Sequence, residues 1–156
     1  AYRNVNVGRL RYTGYEVAAG ARALRTIDLA ASFTSLDSKN VNDPNSPVGD
    51  TYSTKFGFSA DWLPLGNRVA LGYTLRHNGE RKDFIAGESL VGTTLPAFTV
   101  HGLRGRATIL DRGQSRTSLV LSVDNLTNEL YAEAANTAFF RPEPRRSVST
   151  SIAVEY

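Results

Sequence analysis

The 156-residue sequence has no cysteine and no methionine, a single tryptophan, two histidines, and lysine only at Lys39, Lys55 and Lys82. The lack of cysteine excludes a disulfide scaffold, a thiolate zinc finger and a thiol nucleophile together. The lack of methionine carries the expectation that the chain starts inside a longer protein. No apolar run approaches the roughly 18 residues of a transmembrane helix, and Ala1–Leu10 has no apolar signal-peptide core. Neither absence excludes a membrane, because a barrel strand crosses with about 9–11 residues of which only alternate ones need be apolar. The net charge of +3 is carried mostly by arginine with acids interspersed. No basic stripe forms, so no nucleic-acid partner is expected.

What is present is a period of two. Ile27, Leu29, Ala31 and Phe33 alternate with Asp28, Ala30, Ser32 and Thr34. Phe56, Phe58, Ala60 and Trp62 alternate with Gly57, Ser59 and Asp61, and Val69, Leu71, Tyr73 and Leu75 with Ala70, Gly72 and Thr74. Leu119, Leu121 and Val123 repeat the pattern, as do Val148, Thr150, Ile152, Val154 and Tyr156. Successive side chains of a strand point to opposite faces, so each run builds one apolar and one polar or small face. Arg9–Arg22 and Ala97–Leu110 fit less cleanly. In the second, Val100 and then Leu103, Ala107 and Ile109 fall in opposite phases, which predicts a bulge near Gly102. The sum is about seven strands, with Ala1–Val7 able to hold the tail of an eighth.

The connections alternate in length. Ala23–Leu24, Pro64–Asn67 and Asp111–Gln114 read as tight turns, and Asp37–Asp50, Asn78–Thr94 and Asn128–Pro144 as long polar links. Such alternation places all long links at one end of an antiparallel meander, the asymmetry of outer-membrane barrels. Leu130–Phe140 has the composition of one short helix. The second face carries Gly, Ala, Ser and Thr with occasional charges, which suits a wet, crowded lumen wall. Trp62 and Tyr156 fall where an aromatic girdle would meet headgroups. An antiparallel sandwich with aromatics in its core remains open on this pattern.

Several motifs resemble TonB-dependent outer-membrane receptors. Asn125-Leu126-Thr127-Asn128-Glu129-Leu130-Tyr131 resembles the Asn-Leu-Thr-Asn-x-x-Tyr element that ends their penultimate strand. Asn6-Val7-Gly8-Arg9 with Gly14-Tyr15-Glu16, Leu29–Asp37, and Leu95-Pro96-Ala97-Phe98-Thr99 resemble earlier strand motifs in the correct order. Pro144-Arg145-Arg146 stands where the family has Pro-Gly-Arg, and Tyr156 where it usually has Phe. The resemblance implies an all-β, antiparallel up-and-down transmembrane β-barrel, of which this chain supplies the C-terminal seven or eight strands of about 22, without the plug. It implies the bacterial outer membrane as location, and import of a scarce nutrient: siderophore-iron, haem, cobalamin or a glycan. TonB would act through the absent N-terminal region, and outer-membrane lipid would surround the wall. The last strand's stripe, Val148, Ile152, Val154 and Tyr156, would be read by the barrel-assembly machinery through strand addition. Ligand-contact candidates in the outer links are the cations Arg81, Lys82 and Arg141 and the aromatics Phe84, Phe139 and Phe140, cations suiting acidic ligands and rings flat ones.

Other signals point to no chemistry. Asn125-Leu126-Thr127 fits a glycosylation sequon and reads as a strand end. Lys55-Phe56-Gly57-Phe58 lacks the second glycine and helices of an RNA-recognition motif. Asp37, Asn40, Asn42, Asp43, Asn45 and Asp50 lack the bidentate Glu of a calcium loop. His77 and His101 have no partner at metal-ligand spacing, and no Gly-x-Ser-x-Gly occurs. Glu16 and Asp28 read as wall charges balanced by Arg22, Arg25 or Arg76. The expectation is a non-enzyme without cofactor. Two alternatives stay open: an autonomous eight-stranded structural or adhesive outer-membrane barrel, and a soluble β-sandwich binding module.

Overall fold

The computed structural model describes residues 8–43, 48, 51–82, 94–133 and 142–156. The chain is all-β. Its strands are β1 (Leu10–Ala23), β2 (Ile27–Asn40), β3 (Thr51–Tyr52), β4 (Thr54–Trp62), β5 (Val69–Asn78), β6 (Arg81–Lys82), β7 (Thr94–Leu95), β8 (Phe98–Asp111), β9 (Arg116–Asp124) and β10 (Ser147–Glu155). Seven of them form one antiparallel sheet in the order β1-β2-β4-β5-β8-β9-β10, a meander in which each strand pairs its neighbours in sequence. The two-residue strands β3, β6 and β7 form a second, small sheet at one end. The large sheet is not closed on itself among the described residues.

Register carries the two-residue alternation across six pairings, shifted only between Thr108 and Leu110 among the described residues. Paired residues share a face. Val17 pairs Phe33, which pairs Phe56 and then His77. Ala60 pairs Tyr73, then Leu103, Val123 and Val148. Every apolar row found in the sequence therefore lies on one face, and Glu16, Asp28, Lys55, Asp61, Arg76, Arg104, Arg106 and Asp124 lie on the other. The apolar face is uncovered: Val148 is 66% and Ile152 67% exposed, and no described side chain of any size is fully buried. A sandwich would bury this face under a second sheet about 10 Å away. No second layer exists among the described residues, and leaving such side chains in water forfeits about 1.5–3 kcal/mol each.

The bulge expected near Gly102 is absent. Thr74 pairs Gly102 and Arg76 pairs Val100 in continuous register, and the register shift lies between Thr108 and Leu110. Val100 is simply an apolar residue on the polar face. Gly102 is needed for a different reason: a Cβ there would meet the Thr74 Oγ1 at 2.6 Å. Phe98–Asp111 thus keeps one phase until Ile109, with Leu103, Gly105 and Ala107 on the apolar face.

The connections alternate as expected. Short turns join β1 to β2, β4 to β5 and β8 to β9, and the long links lie at the opposite end. Gly66 and Gly113 supply positive φ in two of the turns, at 60° and 76°. The β1–β2 turn instead places Leu24 and Arg25 at φ 51° and 57°. Left-handed backbone costs a side-chain-bearing residue about 1–2 kcal/mol, so this turn is held by the paired strands rather than by its own chemistry.

Candidate functional site: the long-link end of the polar face

At the long-link end the chain builds its only compact cluster among the described residues. Phe98 (3% exposed), Leu95, Ala132 and the side chain of Asn78 are buried there. Phe98 packs against Tyr131 with ring centroids 4.4 Å apart and against Tyr52 edge-on at 6.3 Å. The Arg76 guanidinium lies 5.3 Å from the Phe98 ring centroid and 5.8 Å from that of Tyr131. Arg76 also donates to the Tyr131 hydroxyl at 3.3 Å and pairs with the Glu133 carboxylate. The Glu133 carbonyl accepts from the Tyr52 hydroxyl at 3.0 Å and from Arg81 at 2.8 Å. Ring pairs contribute about 0.5–1.5 kcal/mol and cation–π contacts about 0.5–2 kcal/mol. The cluster is therefore a clamp that holds the root of the β9–β10 link against the two other long links. Burial pushes the Tyr131 phenol above its ordinary range, Arg76 pulls it back, and Glu133 and Glu143 add to the rise. Tyr131 therefore stays protonated at physiological pH, with its hydroxyl accepting from Arg76.

The Asn125–Asn128 turn sets where that link starts. Asn125 and Asn128 adopt φ of 52° and 59°, a region asparagine tolerates. The Asn125 side chain accepts from the Glu129 amide at 2.8 Å and donates to the carbonyls of Glu129 at 2.8 Å and Pro144 at 3.2 Å. Asn128 Oδ1 accepts from the Arg146 amide at 3.2 Å. The two asparagines thus tie both ends of the β9–β10 link together, and the missing glycine at Arg145 leaves β10 in place. Beside them a cavity of about 380 Å³ opens on the polar face, lined by Thr74, Arg76, Asp124, Tyr131 and Arg145.

At the short-turn end the polar face carries a second charged group. Arg22 grips Asp28 through two bonds of 2.6 and 2.9 Å, the pairing expected for a wall charge. Asp61 lies over Gly72, where a Cβ would meet its Oδ1 at 2.8 Å. Arg106 stands 3.9 Å from Glu155. A cavity of about 370 Å³ separates these groups. Both histidines are hydrogen-bonded across strands, His77 to Thr99 at 2.9 Å and His101 to Tyr73 at 2.7 Å.

Of the expected ligand contacts, Arg81 is part of the clamp, its guanidinium 5.6 Å from the Tyr52 ring centroid. Lys82 pairs through its backbone with Thr51 and Thr94. Phe84, Phe139, Phe140 and Arg141 lie outside the described residues. So does most of the expected helix over Leu130–Phe140; its described part, 130–133, is not helical, because Tyr131 and Glu133 are spent on the clamp. Val148, Ile152, Val154 and Tyr156 are all exposed along β10, whose other edge carries no strand among the described residues. Sequence reasoning missed Arg76, Tyr52, Phe98 and Glu133 as a group. Two residues of the cluster had a signal, Tyr131 as the last residue of the Asn-Leu-Thr-Asn element and Phe98 as the aromatic of Leu95-Pro96-Ala97-Phe98-Thr99.

No protein-family model matches this chain, and no curated protein matches it in sequence. Among solved structures, the chain is similar in fold to the copper transporter OprC, with a TM-score of 0.72 at 20% identity. The match covers 94% of this chain and 24% of that one, so the whole described sheet has the fold of about a quarter of a longer transporter chain.

Proposed function

We propose that this chain forms wall and outer links of an outer-membrane β-barrel that imports a scarce nutrient, of the TonB-dependent kind its motifs resemble. One observation carries the reading: an apolar face that runs in register across seven strands and that nothing covers among the described residues. Strands of 9, 10 and 14 residues are long enough to span a bilayer, which takes about 9–11. Lipid is the solvent in which that face costs nothing, and closure with further strands removes the edges. The fold likeness to a transporter of which this chain covers only 24% supports a segment of a larger barrel.

In this reading the polar face lines a lumen. The long links face outward and collect ligand, with Lys82, Phe84, Phe139, Phe140 and Arg141 as contacts. Arg81 acts indirectly, by fixing the clamp from which the last link springs. TonB works through a plug outside this chain, and β10 presents the alternating stripe ending in Tyr156 to the assembly machinery. The cargo in this reading is a scarce nutrient: siderophore-iron, haem, cobalamin or a glycan.

This chain contributes no cysteine background to labelling, and any cysteine elsewhere in the intact protein is first replaced by serine. In the intact protein in living cells, a membrane-impermeant maleimide should label Asn42→Cys at the long-link end. It should reach Gln114→Cys at the short-turn end only after the outer membrane is breached. Labelling of Gln114→Cys in intact cells, or a protein that fractionates away from the outer membrane, overturns the proposal. Full-rate import after deletion of 134–141 would remove that stretch from the ligand site.

A further inference from the structure

Each short turn sets an exposed leucine close to an arginine. Leu24 precedes Arg25, Leu65 is three residues before Arg68, and Leu110 two before Arg112. Leu24 is 83% exposed, Leu65 67% and Leu110 43%. Arg25, Arg68 and Arg112 are exposed too, and none has an ion pair or side-chain hydrogen bond among the described residues. This is not a general property of arginine here. Nearby on the same strands Arg22 pairs Asp28, Arg106 approaches Glu155 and Arg116 approaches Asp111 at 3.7 Å. Asp28, Glu155 and Asp111 are taken by those arginines, and the turn tips keep cations unmatched among the described residues. The turns are also evenly placed. They join successive strand pairs of the sheet order, so with strands about 4.8 Å apart they recur about every 10 Å.

We infer that the short-turn end binds anionic phospholipid headgroups, one guanidinium to each phosphate, with the leucines seated at the edge of the acyl chains. The inference rests on the barrel reading above. Guanidinium presents a planar fork that matches phosphate oxygens and is less strongly hydrated than ammonium. An apolar residue within a turn of a cation is the pairing of a headgroup boundary, where one side chain enters hydrocarbon while the other stays at the phosphates. In bulk water the same leucines would lie exposed with no gain. Trp62 on the apolar face beside the β4–β5 turn, 46% exposed, marks the same boundary.

The test uses the intact protein, inserted into vesicles of phosphatidylcholine alone or mixed with phosphatidylglycerol. The lipid retained after extraction into neutral detergent is counted by mass spectrometry. The wild type should retain phosphatidylglycerol several-fold over phosphatidylcholine. Each cation near an anionic surface is worth about fivefold in affinity, so Arg25→Gln/Arg68→Gln/Arg112→Gln should lose that preference and retain the two lipids about equally. None of the three has a protein partner, so the variant keeps its fold, which circular dichroism checks. Failure to float with either vesicle overturns the membrane reading itself. Flotation with no preference for phosphatidylglycerol, or a preference that survives in the triple variant, overturns this inference alone. Displacement of the retained lipid by inorganic phosphate would also overturn it, marking a site for the free ion.

Discussion

A lysine placed at Leu121 tests the two-faced wall most directly. Leu121 is the middle of the β9 apolar row between Leu119 and Val123, is 47% exposed, and is flanked across the sheet by Gly105 and Thr150. Those small neighbours give an ammonium no charged partner and no bulk to climb. A lysine on the lipid side at the bilayer midplane costs about 2–4 kcal/mol. Ser122, the next residue, faces the other way, between Arg104 across the sheet and Asp124 two residues on. A lysine there is wetted and its charge balanced, at a cost of about 0–1 kcal/mol. Thr117 lies in the same apolar row as Leu121 but beside the short turn, where lysine reaches headgroups at about 0–1 kcal/mol. Urea titration of the intact protein in lipid vesicles, followed by tryptophan fluorescence, should rank Leu121→Lys far below Ser122→Lys and Thr117→Lys. The gap of about 3 kcal/mol is more than a hundredfold in the folding equilibrium. Equal losses at Leu121 and Ser122 would refute the assignment of faces. Equal losses at Leu121 and Thr117 would refute lipid as the covering medium, because a protein core has no depth profile of that kind.

Three further outcomes are expected. Arg76→Ala removes the fork between Phe98, Tyr131 and Glu133 and leaves the Glu133 carboxylate without it; amide exchange over 128–133 should accelerate about tenfold to a hundredfold, while exchange in β4 and β9 stays unchanged. Asn128→Ala loses both the tolerance for φ 59° and the bond to the Arg146 amide, and chemical denaturation should register about 1–3 kcal/mol, with Asn128→Gly recovering part of it. The Tyr131 phenol is raised above its usual 10.0, so the folded state holds its proton longer than the unfolded one. Its contribution is whole below that value and declines as pH climbs toward the folded one; the alkaline stability curve of Tyr131→Phe should lack this decline, and a tyrosinate absorbance lost in the mutant near or below pH 10 would contradict the rise.

The strands were readable because a period of two survives in any surrounding. Phe56-Gly57-Phe58 or Val69-Ala70-Leu71 can be phased without knowing their neighbours. β8 defeated that reading because Val100 is apolar on the polar face, beside the Asn125 turn, which made a phase change seem to need a bulge. The extra residue is Ile109, next to a turn, where an irregularity disturbs little. The paired charge of Arg22 and Asp28 was legible because both belong to the same face of one hairpin. The clamp was not. Tyr52, Arg76, Phe98 and Glu133 come from four separate segments, and no spacing in the sequence announces their meeting. The two-residue strands β3, β6 and β7 are too short to alternate at all.

The clamp also fixes an order of events. Every pairing in the large sheet joins sequence neighbours, so hairpins can form one after another with little loop-closure cost. The bond from Tyr52 to Glu133 is different, because it spans 81 residues and needs the β2–β4, β5–β8 and β9–β10 segments already in position. It can close only when the last link has been laid down. Closure of that contact therefore reports that β9 and the root of the β9–β10 link are in place, and a chain stalled before β9 would leave Tyr52, Arg76 and Phe98 open for quality-control factors to recognise.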